Sequence, residues 1–167
     1  KIIPVKKGVF YATFESTDGI HQFANGSESS MLFLKDGDNL QLKMDAKMFD
    51  ESIVYKGEGA LENNYLAQKA LSDEKFEMSL EDLMTKDDVT FKAALSKKKE
   101  TDLANLMSKG LNQKLIDAIK PRIEQEETML TQFFNQKIAA SKLVGTSSPT
   151  FDYENHKGGK TSLESLK

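Results

Sequence analysis

The sequence predicts an α+β protein: an N-terminal antiparallel β-sandwich or curled sheet followed by a helical lobe. Two observations carry this. From Lys1 to about Gly57, short apolar runs with a two-residue alternation are broken by turn signals at Lys6-Lys7-Gly8, Asp18-Gly19, Asn25-Gly26 and Asp36-Gly37. Beyond Gly57 and Gly59 the apolar period becomes helical and holds to about Leu143. A chain of 167 residues can remove about 70% of its unfolded surface from water, enough for a real core. The expected organisation is a β-lobe over 1–57, a helical lobe over 58–143, and a linker with a hairpin over 144–167.

In order, Ile2, Ile3 and Val5 lead into the first turn. Val9 to Phe14 then reads as a strand, with Phe10, Ala12 and Phe14 on one face and Val9, Tyr11 and Thr13 on the other. Ile20–Phe23 and Met31–Leu34 flank Asn25-Gly26, a strong hairpin dipeptide because both residue types tolerate positive φ. Leu40, Leu42 and Met44 alternate inward, and Ile53-Val54-Tyr55 is the last strand. Five or six short strands without a helical period between them predict the sandwich.

Asn63 and Asn64 are placed to cap a helix carrying Tyr65, Leu66, Ala70 and Leu71. Ser79-Leu80-Glu81-Asp82 reads as a capping box before Leu83 and Met84. A longer helix is expected from Asp87 or Asp88 to about Lys109, with Phe91, Leu95, Leu103, Leu106 and Met107 inward and Gly110 as its stop. Another starts near Asn112 and carries Leu115, Ile116, Ile119, Ile123, Leu130, Phe133, Phe134 and Ile138. Pro121 within it removes a backbone donor, predicting a kink or a restart. After Leu143 to Pro149, the run Phe151 to Leu163 predicts a hairpin around Asn155–Gly159 that leads into one helical turn. Its unpaired edges invite pairing with another chain or with the β-lobe, so an edge-strand or homo-oligomer contact through 151–163 is expected.

Composition excludes several classes. A net charge of −3 leaves no basic excess to neutralise phosphates, so no nucleic-acid partner is expected. No apolar run reaches the length of a membrane span. The first residue is Lys1, not Met, which suggests a processed or trimmed N terminus. With no cysteine, the chain is compatible with either redox compartment.

No residue set is assigned to catalysis, a cofactor or a metal. Gly57-Glu58-Gly59 lacks the third glycine of a dinucleotide site and the Lys-Ser/Thr of a P-loop, so it reads as a strand-to-helix hinge. His21 and His156 are the only histidines, and neither has a metal ligand at helical or hairpin spacing. No Ser lies in a Gly-x-Ser-x-Gly elbow, which weighs against a cysteine-free hydrolase. Lys97-Lys98-Lys99 with Glu100 reads as a solvated helix face with local ion pairs, with a partner or anionic-lipid patch as the sharper alternative. Glu124, Glu126 and Glu127 spread around their helix instead of converging. Asn25-Gly26-Ser27 matches a glycosylation acceptor, but its hairpin role has the stronger mechanism. The seven methionines read as core gap-fillers, and the boundary between β-lobe and helices is the expected place for a ligand or client peptide.

Two stretches bear a family likeness. Gly145, Pro149, Phe151, Gly158, Gly159, Ser162, Leu163, Leu166 and Lys167 resemble the start of the thioredoxin domain in TlpA-like thiol–disulfide oxidoreductases of the bacterial cell envelope. Phe49-Asp50, Gly57-x-Gly59-Ala60 and Asn63-Asn64-Tyr65-Leu66-Ala67 resemble the handover from β-lobe to helices in the same proteins. The helices over Asp87 to Ile138 match no motif.

The resemblance implies that the hairpin begins a thioredoxin-like domain whose Cys-x-x-Cys follows Lys167. With no cysteine here, no redox residue carries over and the chain alone should be inactive. It further implies an accessory domain that positions the redox domain or selects its substrates. Client or partner thiol proteins would be engaged through that following domain, in the periplasm or envelope, with an anchor before Lys1. The alternative is a free-standing envelope module that binds or builds without redox chemistry.

Overall fold

The computed structural model describes residues 2–146 and 152–162. Its order is β1 (Gly19–Asn25), β2 (Glu28–Leu34), β3 (Leu40–Lys43), α1 (Phe49–Ser52), β4 (Val54–Gly57), α2 (Ala60–Leu83), α3 (Asp88–Ser108), α4 (Gln113–Leu143), β5 (Asp152–Glu154) and β6 (Lys160–Ser162). The chain divides into two compact units, Lys1–Thr131 and Gln132–Lys167, and α4 runs across the division.

The α+β class holds, but among the described residues the N-terminal lobe has no sandwich or curled sheet, only two separate two-stranded antiparallel ladders, β1–β2 and β3–β4; β5–β6 is a further two-stranded ladder near the C-terminal end. The reason lies in what covers the β1–β2 hairpin. Ile20, Met31 and Phe33 pack into a cluster with Tyr65 and Leu66 of α2, Leu106 of α3, and Leu115, Ile119 and Ile123 of α4. On the opposite face Phe23 and Leu32 join Phe49, Ile53, Tyr55 and Ala67. Both hairpin faces are therefore occupied, one by helices and one by the α1/β3/β4 region. The apolar alternation read from the sequence is satisfied without a second sheet.

The turn at Asn25-Gly26 forms one residue later than its dipeptide suggests. Asn25 pairs with Glu28 across the ladder, so Gly26 and Ser27 are the central residues. Gly26 has φ 66° and Ser27 has no positive φ, the pattern of a type II′ turn with Gly first. Val9 to Phe14 joins no ladder, apart from the Lys6–Val9 bridge at the preceding turn. Phe10 stacks on Phe23 at 5.8 Å, and Phe23 on Phe49 at 6.0 Å, so ring contacts hold this segment where strand pairing was expected.

Gly57 and Gly59 make the hinge. Both have φ 86°, and a Cβ would stand 2.2 Å from the Asn39 carbonyl oxygen at Gly57 and 2.7 Å from the Asp38 carboxylate at Gly59. The backbone reverses there against another loop with no space for a side chain. α2 consequently begins at Ala60, with Gly59 at its N-cap, and Asn63 and Asn64 lie inside the first turns instead of capping. The Ser79–Asp82 capping box is likewise internal to α2, where the Ser79 hydroxyl donates to the Phe76 carbonyl at 2.6 Å.

α3 keeps its expected bounds. Asp87 caps it by accepting from the Thr90 N–H at 2.8 Å, and Gly110, at φ 63°, follows its end. α4 passes through Pro121 without a break. Pro121 is exposed while Ile119 and Ile123 are buried, so the unpaired carbonyl one turn earlier can be met by water. Of the expected core residues, Met107 and Phe133 are exposed, as are Met48, Met78 and Met129. The methionines are thus only partly core fillers. Among the described residues, no helix is long and apolar enough to cross a membrane.

In the second unit, β5 and β6 form the expected hairpin. Asn155 organises its turn: its Oδ1 accepts from the Lys157 N–H at 3.0 Å and the Gly159 N–H at 3.3 Å, and its Nδ2 donates to Thr161 Oγ1 at 3.1 Å. Phe151, and the helical turn expected from Leu163, lie outside the described residues.

Candidate functional site

α2 places Lys69 and Asp73 one turn apart, and α3 does the same with Lys98 and Asp102. Asp102 shares the α3 face of Phe91, Leu95 and Leu106, an apolar stripe, so it is buried by its position. A carboxylate there must be paired. Lys69 Nζ lies 2.8 Å from both Asp73 oxygens and 3.2 Å from Asp102 Oδ2. Lys98 Nζ lies 2.6 Å from Asp73 Oδ1 and also contacts Asp102 Oδ2 closely. Two ammonium groups and two carboxylates thus interlock the helices. The Lys69, Lys98 and Asp102 side chains are only 8%, 12% and 4% exposed, which sets them apart from ordinary surface pairs.

Burial works to lower the Lys98 pKa, but hydrogen bonds to Asp102 and Asp73 outweigh it and hold the group above its ordinary value. Lys98 also lies 5.8 Å from the centre of the Phe76 ring. Glu126 of α4 faces the same network. Burial, then the charge of Asp73, raises its carboxyl pKa against the opposing pull of Lys69 and Lys98, with Asp102 adding to the rise.

Asp73, Asp102 and Glu126 bring one carboxylate oxygen each to within 4.8 Å of one another, the donor set a hard divalent cation would use. The fit is poor, because the Lys98 ammonium already bridges Asp73 and Asp102 and supplies the positive charge. A metal would have to displace it. The arrangement is better suited to fixing α2 against α3 than to catalysis, since each ammonium is held in place by the carboxylates.

Beside this network, between α2 and α3, lies a cavity of about 90 Å³. Tyr65 and Asp102 form its buried part, while Gln68, Asn105 and Lys109 are exposed at its rim. Lys109 Nζ donates to Gln68 Oε1 at 2.8 Å and ties the two helices there. A smaller crevice of about 10 Å³ near Phe76, Lys98 and Glu126 barely admits one water.

The second constellation is the start of α2. Asn63, fully buried, accepts from the Phe33 N–H at 2.8 Å through Oδ1, and its Nδ2 donates to the Phe33 carbonyl at 2.8 Å. The same Nδ2 reaches the Gly59 carbonyl at 2.8 Å. Asn64 repeats the device on β4: the Tyr55 N–H donates to Oδ1 and Nδ2 donates to the Tyr55 carbonyl, both at 2.9 Å. Each amide side chain mimics a neighbouring strand, closing one residue of β2 or β4 that has no ladder partner on that side.

Among the residues singled out from the sequence, His21 bonds the Thr17 carbonyl at 2.8 Å and His156 is exposed in the β5–β6 turn. Neither lines the α2–α3 cavity. Gly57-Glu58-Gly59 is a hinge, and Asn25-Gly26-Ser27 a hairpin turn. The Lys97–Lys99 run is not a uniformly solvated face: Lys98 is half-buried in the network, and Lys99 pairs with Glu127 at 2.6 Å. Its periodicity puts consecutive lysines on different sides of the helix. Lys69, Asp73 and Asp102 escaped the sequence reading. Their signal was two Lys-x-x-x-Asp pairs, ordered opposite to the acid-first arrangement that best supports an isolated helix.

No family model matches the chain, and neither curated proteins nor solved structures give a match.

Proposed function

We propose that this chain is the N-terminal accessory region of a TlpA-like, thioredoxin-containing thiol–disulfide oxidoreductase of the bacterial envelope. The observation that carries the reading is the Gly57-x-Gly59…Asn63-Asn64 stretch. Its residues resemble the family handover motif, and each has a demanding physical role here: glycines where a Cβ would collide, and asparagines that bind strand backbone. The β5–β6 hairpin around Asn155 and Gly158-Gly159 supports it from the other likeness.

The chain's own share in this activity is structural. An α2 fixed to two strands at its start and to α3 about midway along its length would position a following redox domain or shape which client proteins reach it. That domain would supply dithiol exchange: a thiolate of lowered pKa attacks a substrate disulfide sulfur, a mixed disulfide forms, and the second cysteine displaces the reduced client. Client thiol proteins would be its partners and the periplasm or envelope its compartment.

The test is to read the gene beyond Lys167 and assay the extended protein for disulfide reduction. A Cys-x-x-Cys within a few dozen codons, with activity lost on its replacement by Ser, is expected. Its absence ends the redox reading and leaves a binding or structural module.

A further inference from the structure

Arg122 is the only arginine of the chain, and it is directed at a sulfur. It lies on α4 just before the buried Ile123, at the border of the apolar stripe of that helix. From there it reaches β2, where its Nη1 donates to Met31 Sδ at 3.3 Å in a solvent-exposed contact. Met31 itself is half-buried and packs against the cluster that joins β1–β2 to α2, α3 and α4. Among the described residues Arg122 forms no ion pair, although Glu126 stands one turn further along α4.

A thioether is a weak acceptor, so it serves a guanidinium poorly. The same sulfur carrying an oxygen is a different partner. A sulfoxide oxygen bears partial negative charge and accepts strongly, and a guanidinium bond to it is charge-assisted. Oxidation ordinarily turns an adaptable apolar side chain into a polar one and disrupts the packing around it. At Met31 a strong donor already stands beside the sulfur that would receive the oxygen. Arg122 is exposed, so it can draw back by one bond length to make room. Met48, Met78, Met107 and Met129 are exposed, and among the described residues no other methionine sulfur has a donor at hydrogen-bond distance.

We infer that Met31 is a site of reversible oxidation by peroxides whose sulfoxide is held by Arg122, so that oxidation leaves the β2–α4 joint closed. A lone pair of the Met31 sulfur attacks one oxygen of hydrogen peroxide, and the S–O bond forms as the O–O bond breaks. The proton of the transferred oxygen passes to the departing hydroxide, which leaves as water. Sulfur is oxidised by one electron pair and the peroxide is reduced by the same pair. Arg122 then donates to the new oxygen. The step needs no cysteine and stands apart from the dithiol chemistry proposed above.

The test treats the whole chain with hydrogen peroxide, locates the added oxygen by peptide mass mapping, and follows the single arginine Nε–H signal in ¹H–¹⁵N spectra. Met31 sulfoxide is expected to form and to shift the arginine signal, and methionine sulfoxide reductases should restore the original spectrum. In Met31→Leu the same treatment should leave that signal in place. Stability is read in a background where the exposed Met48, Met78, Met107 and Met129 are replaced by leucine. There, oxidation should leave the urea midpoint no lower than before, whereas it should lower the midpoint once Arg122→Leu is added. Three results would overturn the assignment: Met31 unmodified after the exposed methionines are fully oxidised, an arginine signal that moves equally in Met31→Leu or not at all, or the same change in midpoint with and without Arg122.

Discussion

The two ends of the working length of α2 are fastened by opposite chemistry. At its start, neutral amides of Asn63 and Asn64 bind strand backbone at distances of 2.8 to 2.9 Å. One to three turns later, Lys69 and Asp73 interlock with Lys98 and Asp102 of α3 through charge. The difference teaches what each junction needs. A strand edge offers a fixed N–H and C=O, which one amide matches geometrically and without regard to pH. Two helices offer each other only side chains, and a charge buried on an apolar stripe can be tolerated only with opposite charges around it.

The largest expected effect is at the charged junction. Asp102→Ala should cost about 3–5 kcal/mol in urea unfolding, because Lys69 and Lys98 lose a buried partner. Replacing Asp102 by Leu and Lys98 by Met together should recover most of that loss. If the double variant is no better than Asp102→Ala, packing and not charge balance governs this junction.

At the amide junction, Asn63→Ala leaves the buried Phe33 N–H and carbonyl unpaired and should cost about 2–4 kcal/mol. Asn64→Ala, at a partly buried site, should cost about 1–2 kcal/mol by the same measurement. Equal costs would mean that burial does not separate the two asparagines.

The pH dependence sharpens the contrast. Lys98 has a folded pKa above its ordinary 10.5, so its contribution is complete below that value and is lost as pH rises through the folded one. The cost of Asn63→Ala should stay constant between neutral and alkaline pH, while that of Asp102→Ala shrinks in the alkaline range. Glu126 works the other way at lower pH. Its folded pKa is raised above 4.5, so its protonated form favours the fold, and stability falls as pH rises from that value through the folded pKa. Glu126→Gln should therefore raise the urea midpoint at pH 7, with the gain vanishing in acid.

The smallest effect is local and belongs to the second unit. Asn155→Ala removes the side-chain bonds to the Lys157 and Gly159 amides and should speed hydrogen exchange within β5 and β6, with the global unfolding midpoint unchanged. A shifted midpoint would show that the hairpin takes part in cooperative unfolding.

Local patterns and turn chemistry were legible in the sequence of residues. The change from strand to helical period at Gly57–Gly59, the bounds of α3 with its Asp87 cap, the β1–β2 and β5–β6 hairpins and most of the apolar stripe on α4 follow from spacing alone. The sequence also determined where a glycine was required, since a positive φ leaves few alternatives.

Only the tertiary structure decided which surfaces meet. A strand pattern specifies which side chains share a face but not whether a sheet or a helix covers it, and here helices and the α1/β3/β4 region took both faces of β1–β2. Asn63 and Asn64 looked like caps because their helix-start preference is local, whereas Phe33 lies thirty residues away. Lys98 looked solvated for the same reason: whether a lysine is in water or between two aspartates depends on the helix packed opposite, and its own neighbours in sequence carry no record of that.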